Sequence, residues 1–141
     1  MEDSRFQFKG FNIVRSLIER HNKETSKKIN LGFAPKGIIN KNESNFQLHL
    51  GVNIEDENRS FKIEIEAVAN YIFENKEGLD KLNNFFYVNA PALLFPYIRA
   101  YISTLTNLSG FEPINLPTLN MTGLGEDLRK NTTKLEDATN Q

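Results

Sequence analysis

Few side chains in this sequence have the type and spacing that catalysis requires. Glu64 and Glu66 stand two residues apart and could form the carboxylate pair that general acid–base catalysis uses. Lys62 lies at the same spacing from Glu64, so a solvated row of charges of mixed sign is the better interpretation. We therefore expect no catalytic pair in this segment.

The other residues that could carry chemistry also argue against an enzyme. His21 and His49 are the two histidines, and His49 falls on the solvent-facing side of a predicted strand. Without a cysteine, the chain has no disulfide, thiolate zinc site or cysteine nucleophile. Gly123 and Gly125 lack the third glycine and the preceding strand of a phosphate-binding loop. The sequence therefore predicts a protein that is not an enzyme and that needs no metal or cofactor.

Two segments with apolar residues at every second position predict the centre of a sheet. These residues are Phe46, Leu48, Leu50, Val52 and Ile54 in the first segment, and Phe61, Ile63, Ile65, Ala67, Ala69, Tyr71 and Phe73 in the second. Such alternation is typical of strands with one buried and one solvated face, as in antiparallel sheets. Residues 55–59 between the segments are polar and predict a hairpin loop, so the two strands should be antiparallel neighbours.

Two earlier segments alternate less regularly. Residues 29–33 alternate until Pro35 and Gly37 interrupt the pattern. The first segment changes phase after Gly10, which indicates a β-bulge or bend in a long strand. An amphipathic helix at residues 11–20 is the alternative, because apolar residues there also recur at helical spacing.

The period of the apolar residues changes from Leu79 onwards, where helices are predicted. A short helix or turn at residues 79–87 precedes a main helix at residues 92–108, which Gly110 should end. Pro96 must either lie in the first turn of the main helix or kink it, because proline removes a backbone donor.

The main predicted helix carries more apolar surface than one sheet covers. At 100° per residue, its apolar residues span roughly 200°, about twice the stripe of a helix packed on a single sheet. The extra surface is covered either by residues 111–119 folding back within the monomer or by another subunit. The excess favours an oligomer, with an interface predicted at Leu94, Ile98, Tyr101, Ile102 and Leu105.

These elements predict an α+β fold: a four-stranded antiparallel sheet with a long helix and a shorter C-terminal helix on one face, in an oligomer. Residues 1–126 form the single domain, and residues 127–141 a polar helix end and tail. The formal net charge of −1 gives no reason to expect a nucleic-acid partner. The polar start of the sequence and the lack of a long apolar run predict a cytoplasmic protein without membrane insertion.

One segment resembles a known family. Residues 94–97 read Leu-Phe-Pro-Tyr and are followed by Arg99, which resembles the opening of the long helix in SecB-type protein-export chaperones. Residues 110–120, rich in proline and apolar side chains, look like the crossover loop of that family. The order of four strands before the helix also matches, so the resemblance in architecture covers nearly the whole chain.

The resemblance implies a chaperone that binds unfolded polypeptides without ATP or a cofactor. In that family, four subunits assemble as two dimers with the long helices between the sheets, which would explain the wide apolar arc. Unfolded precursor proteins bind in grooves lined by the crossover loop and sheet, and are passed to the translocation motor ATPase SecA. The groove residues implied here are Phe111, Pro113, Ile114, Leu116, Pro117 and Leu119, with Tyr97 and Tyr101.

The charge of the predicted sheet departs from that family, whose members are strongly acidic and dock the basic tail of SecA there. Glu64 and Glu66 are the docking candidates by position, but Lys62 lies beside them and the chain is nearly neutral. We therefore expect client holding rather than strong SecA docking. Three alternatives remain open: a SecB-like chaperone dedicated to the antitoxin of a toxin–antitoxin system, a carrier of small apolar ligands, and a self-assembling scaffold.

Overall fold

The computed structural model describes residues 6–74, 76–120 and 122–135. Four long strands come first: β1 (Phe6–Arg20), β2 (Ile29–Asn40), β3 (Asn45–Asp56) and β4 (Phe61–Phe73). Three helices and a short strand follow: α1 (Lys76–Asp80), α2 (Asn84–Leu108), α3 (Thr122–Lys130) and β5 (Thr132–Leu135). The last part of the predicted tail, residues 136–141, lies outside the described residues.

The strands form one sheet in the order β1-β4-β3-β2-β5. The four long strands pair antiparallel with their neighbours, as their alternation predicts. The prediction of a purely antiparallel four-stranded sheet is wrong in one respect, because β5 adds parallel to β2 at residues 37–40. β5 is four residues long and has no alternation that the sequence could reveal.

β1 is a strand along its whole length, so the alternative of a helix at residues 11–20 is wrong. The phase change at Gly10 is a β-bulge, where φ is 109° and the register with β4 shifts. A second shift follows between Ile13 and Arg15. The two irregularities keep apolar side chains on the helix-covered face, where Phe6, Phe8, Phe11, Ile13 and Ile18 pack against the core.

β2 continues to Asn40, although the alternation of its apolar residues stops at Pro35. The Gly37 N–H donates to the Asn131 carbonyl at 3.2 Å, on the side of β2 that faces away from β3. The nitrogen of Pro35 lies on the same side, so proline removes no hydrogen bond between β2 and β3. Gly37 itself is needed for close packing, because a Cβ there would lie 2.5 Å from Phe46 Cζ.

α2 begins at Asn84, well before residue 92, where the main helix is predicted. Asn83 is its N-cap, since the side-chain oxygen accepts the Phe86 N–H at 3.2 Å. Pro96 consequently lies in the interior of the helix and not in its first turn. The short helix before it, α1, is a separate element that ends at the connection to this cap.

The apolar arc of α2 divides into a buried part and an exposed part. The residues that are fully buried against the sheet of the same chain are Leu94, Ile98 and Ile102. These three belong to the core of one chain and not, as predicted, to a subunit interface. Tyr101 and Leu105 are half-buried. The large apolar residues left exposed on this helix are Phe85 (70%), Leu93 (42%), Tyr97 (50%) and Leu108 (80%).

α3 packs closely on α2 through a glycine. A Cβ at Gly125 would lie 2.8 Å from Val88 Cγ2 and 3.1 Å from the Tyr87 carbonyl oxygen. Leu128, near the end of α3, is fully buried. The residues from 127 onwards, predicted as a polar helix end and tail, therefore include a core side chain and the strand β5.

Candidate binding groove

A cleft of about 850 Å³ lies on the helix-covered side of the sheet. One wall is formed by residues 111–117 of the segment 111–119, which we call the crossover segment, and the other by residues of the β1–β2 connection, residues 21–28. We call the cleft the groove. The apolar side chains that line it are Ile29, Leu31, Phe61, Phe111, Pro113, Ile114, Leu116 and Pro117. The groove thus joins apolar surface from the sheet and from an irregular segment.

Hydrogen bonds hold the crossover segment against the polar side of α2. The Ile114 N–H donates to Thr106 Oγ1 at 2.9 Å, and the Thr106 hydroxyl donates to the carbonyl four residues before it at 2.8 Å. The Ser103 hydroxyl donates to Asn115 Oδ1 at 3.0 Å. Because the segment lies on this polar side, it leaves the exposed apolar residues of α2 uncovered.

Phe111 begins the crossover segment and is fixed from two sides. Gly110 before it has φ of 86°, the left-handed conformation that ends α2 as predicted. The Phe111 ring packs edge-on against Phe61, with 5.7 Å between centroids. The Arg20 guanidinium lies 3.8 Å from the Phe111 centroid, a cation–π contact that joins the end of β1 to the groove wall.

The buried carboxylate of Asp56 ties the β1–β2 connection to the turn between β3 and β4. It accepts the Ser26 N–H at 2.9 Å, the Ser60 N–H at 2.6 Å, the Ser60 hydroxyl at 2.7 Å and the Phe61 N–H at 3.3 Å. Burial raises the pKa of Asp56, but hydrogen bonds to the charged form outweigh burial, and the net pKa lies below the usual value. Asp56, predicted in a polar loop, is therefore a structural anchor of the groove wall.

Most of the predicted groove residues come together in the groove. Of these, Phe111 and Ile114 are half-buried, Leu116 is buried, and Pro113 and Pro117 are exposed. Leu119 lies apart, in a neighbouring cavity of about 500 Å³. Leu31 of β2 lines both cavities, so the two apolar surfaces adjoin each other.

Tyr97 and Tyr101 do not line the groove. Tyr97 stacks on the Phe8 ring, with 5.6 Å between centroids, and lies 5.3 Å from the Phe11 centroid. The Tyr101 hydroxyl forms a hydrogen bond with the Ser16 hydroxyl. Both tyrosines thus face β1, which places them beside the exposed part of α2 and away from the crossover segment.

Several groove residues were not predicted. The β1–β2 connection contributes Lys23 and Lys27 to the lining, next to Arg20 and His21 at the end of β1. The signal available in the sequence is local charge, since residues 20–28 contain four lysine or arginine residues and one glutamate. Thr106 carries no such signal, because its role depends on a segment that folds back onto the helix.

On the opposite face of the sheet, Glu64 and Glu66 are paired with cations. Arg15 Nη2 lies 2.8 Å from Glu64 Oε1, and Arg15 Nη1 lies 3.7 Å from Glu66 Oε2. Lys62 Nζ lies 3.2 Å from Glu64 Oε2. Hydrogen bonds from Arg15 and Lys62 hold the pKa of Glu64 below its usual value. The predicted row of mixed charge is therefore present, with Arg15 as an additional cation that the second bulge in β1 places there.

The described part of the chain contains no group of three or more histidine, aspartate or glutamate side chains placed to hold a metal ion. None of the helices in the described ranges has the length and apolarity that crossing a membrane requires. The contacts that the groove offers are apolar side chains, backbone groups of the crossover segment and the charges of the β1–β2 connection.

Sheet, long helix and crossover segment together form the fold of a SecB-like chaperone. A SecB-like chaperone of Mycobacterium tuberculosis, solved in complex with a ChAD peptide from the HigA1 antitoxin, matches with a TM-score of 0.71. The sequence identity is 21%, and the match covers 82% of this chain and 90% of that chain.

The chain belongs to the SecB family, whose model, described as preprotein translocase subunit SecB, matches residues 11–131. The protein-export protein SecB of Ruegeria sp. is 28% identical over 108 residues, covering 72% of this chain and 64% of that protein. The protein-export protein SecB of Erythrobacter litoralis is 31% identical over 86 residues, covering 59% of this chain and 48% of that protein. An uncharacterised protein of Methanocaldococcus jannaschii is 43% identical over 49 residues, covering 35% of this chain and 32% of that protein.

The aligned part of the chain spans between 32% and 64% of the length of these three relatives. Family membership nonetheless confirms the resemblance carried by residues 89–120, since the family model extends across that segment.

Proposed function

We propose that this chain is a cytoplasmic holdase chaperone that binds unfolded polypeptides, including precursors for export, in the groove. The observation that carries the proposal is an apolar cleft whose wall is an irregular, proline-containing segment. Binding of this kind needs no covalent step, ATP or cofactor, so the protein is not an enzyme.

An extended client suits the groove because the client and the crossover segment both have backbone outside any helix or sheet. Residues 112–120 belong to no helix or strand, so most of their backbone groups are free of a regular ladder. An unfolded segment presents apolar side chains together with backbone donors and acceptors, which can pair with such a wall. A compact folded protein offers neither in this form, which gives selectivity for non-native chains.

Replacement of Ile114 by serine tests the groove, because Ile114 is half-buried in its wall while Leu116 also belongs to the core. Ile114→Ser should weaken suppression of the aggregation of an unfolded client by several-fold, measured by light scattering at near-stoichiometric ratios without ATP. Val14→Ser removes an apolar side chain that is 60% exposed on the opposite face, and should leave suppression unchanged. Equal activity of both variants would assign Ile114 to the core alone.

We also propose that the protein is an oligomer, and specifically a homotetramer, assembled through α2. Leu93, Tyr97 and Leu108 form an apolar stripe that the sheet covers only in part, since these side chains remain between 42% and 80% exposed. A stripe of this kind on an otherwise polar surface is typical of an interaction site. The apolar cleft is open along an irregular segment, which argues against a carrier that encloses a small ligand. The cleft also lies apart from this stripe, so a scaffold that assembles through the stripe would leave the cleft without a role.

A dedicated antitoxin client is the second candidate function. A structural match to a SecB-like chaperone solved with a peptide from an antitoxin is consistent with it. The observation that favours it is the neutralised face around Glu64, because docking of a basic tail of SecA depends on a net negative potential.

Titration of a peptide carrying the basic tail of SecA separates the two candidates. We expect binding weaker than about 1 μM at physiological salt, a free energy weaker than about −8 kcal/mol. Arg15→Gln should strengthen binding several-fold at low salt because it removes the cation that Glu64 and Glu66 share, whereas Arg129→Gln, on α3, should not. Binding tighter than about 1 μM that is lost when Glu64 and Glu66 are reversed in charge would instead support the export role.

A further inference from the structure

The groove has a basic rim. Of the described residues that line it, Arg20, Lys23 and Lys27 are cationic, His21 adds an imidazole ring, and Glu112 is the one acid. Glu24 belongs to the same connection but does not line the groove. The whole chain is close to neutral, with 17 lysines and arginines and 18 acids. The excess of positive charge is therefore a local property of the groove.

Within the described residues, no acid forms an ion pair with the cations of the rim, although Glu112 lines the same groove. Among the ion pairs formed within the described ranges, none involves Arg20, Lys23 or Lys27. Arg20 lies over the Phe111 ring and donates from Nη2 to the Gly110 carbonyl at 3.4 Å, which holds its charge on the apolar wall. Positioned cations without a counter-charge favour an anionic group on a ligand.

The rim keeps its position because the β1–β2 connection is fixed to the turn between β3 and β4. The Ser26 N–H donates to the buried carboxylate of Asp56. Earlier in the connection, the His21 N–H donates to the Ser60 carbonyl at 2.7 Å, and Asn58 Nδ2 donates to the Glu24 carbonyl at 2.9 Å. The backbone that carries Lys23 and Lys27 is thus held at the edge of the apolar surface of the groove, which we call the floor and which includes Leu31, Phe61 and Leu116.

We propose that the groove selects unfolded segments in which acidic residues flank apolar ones. This inference depends on the proposed holdase function and names its substrate class. The floor, which includes Leu31, Phe61 and Leu116, takes the apolar side chains, and the rim takes the carboxylates. A polyanion without apolar side chains, such as a nucleic acid, would contact the rim and leave the floor empty, so an acidic and apolar polypeptide matches both surfaces.

The test uses labelled peptides that share one apolar core and differ in their flanks, which are aspartate, asparagine or lysine. Fluorescence anisotropy measures their dissociation constants with the full chain. In about 0.1 M salt, the aspartate-flanked peptide should bind about tenfold more tightly than the lysine-flanked one. The ratio should fall below about threefold in about 1 M salt, where the screening length drops to about 3 Å.

The double variant Lys23→Gln/Lys27→Gln should remove most of this preference for aspartate over lysine flanks. Lys36→Gln, an exposed lysine on the opposite face of β2, is the matched control and should change nothing. Circular dichroism and thermal unfolding establish that each variant is folded.

The possible outcomes are distinct. Equal affinity for all three peptides, or tighter binding of the lysine-flanked one, would overturn the charge preference and leave the holdase function standing. A lack of binding to every peptide would overturn both. A single-stranded oligonucleotide that displaces the aspartate-flanked peptide at equal concentration would show that the rim binds polyanions without regard to the floor, which also contradicts the proposal.

Discussion

Asp56 joins two segments of the groove wall that are distant in the sequence. The carboxylate accepts hydrogen bonds from Ser26 on one side and from Ser60 and Phe61 on the other. A buried charge is costly unless hydrogen bonds satisfy it, and here four donors do so. The position of the basic rim therefore depends in part on the charge state of Asp56, together with the hydrogen bonds of His21 and Asn58.

Replacement of Asp56 by asparagine should reduce the free energy of unfolding at pH 7 by about 1–3 kcal/mol. One carboxylate oxygen, an acceptor, becomes an amide NH2 group, a donor, which then faces the N–H and O–H groups that donate to Asp56. The folded pKa lies below the usual value, so the stabilisation is present at neutral pH and is lost as the pH falls through the folded pKa, below about pH 4. Urea unfolding at a series of pH values should show a flatter acid dependence for Asp56→Asn.

The control for this prediction is Glu57→Gln, since Glu57 is exposed in the same turn. It should unfold like the unaltered protein at neutral pH. If Asp56→Asn and Glu57→Gln have the same stability and the same acid dependence, Asp56 does not anchor the β1–β2 connection.

Whether the role of a residue can be predicted from the sequence depends on whether its partner is close to it in the chain. The bulge at Gly10 could be predicted, because it shifts the phase of neighbouring apolar residues. The roles of Asp56 and Arg15 could not, since their partners come from other strands or connections. Asp56 therefore looks like a loop acid, and Arg15 like an isolated cation, until the strands pair.

At the scale of elements, the packing of α3 on α2 depends on the absence of a side chain at Gly125. A Cβ there would approach Val88 and the backbone of Tyr87 within 3.1 Å. A helix cannot move away from its neighbour without losing contacts of its buried side chains, here Leu128. We therefore expect this interface to tolerate no added volume.

Gly125→Ala should destabilise the protein by about 1–3 kcal/mol through overpacking. Gly123→Ala offers a matched control in the same helix, because a Cβ there meets nothing within 4 Å. It should stabilise the protein, by up to about 1 kcal/mol, since alanine favours a helix. Thermal unfolding of both variants checks the prediction, which fails if the two substitutions shift the midpoint in the same direction.

β3 and β4 are predictable because each shows an unbroken period of two, whereas the bulges in β1 and the proline and glycine in β2 interrupt the period and make those strands less certain from sequence. The start of α2 was not predicted, since Pro96 normally marks a first turn and the cap at Asn83 lies far upstream of it. β5 was not predicted either, because four residues carry no period and its partner, β2, is distant in the sequence.

At the scale of the whole molecule, the exposed stripe of α2 is the surface through which we propose that the protein assembles. Leu93→Glu places a charge where a second subunit would bury it, at a cost of several kcal/mol if the charge stays unpaired. Native mass spectrometry at low micromolar concentration should show a tetramer for the unaltered protein and smaller species for this variant. Val14→Glu, on the opposite face, should leave the assembly unchanged, and a monomeric unaltered protein would contradict the proposed interface.

The width of the apolar arc could be predicted from the sequence, but its division could not. The residues of the arc that the sequence assigned to an interface include three that the chain buries itself. Which part of an arc faces the sheet depends on the rotation of the helix about its axis, and only packing sets that rotation.

The pairing of β5 with β2 has a consequence for the synthesis of this protein. Asn131 and Pro35, which meet at this edge, lie 96 positions apart in the chain. While a ribosome is still translating residues 122–135, the outer edge of β2 at residues 37–40 has no β5 to pair with, and an unpaired edge is a template for aggregation. For that interval the nascent chain is itself a polypeptide of the type that its groove is proposed to hold, so an existing copy could protect a new one.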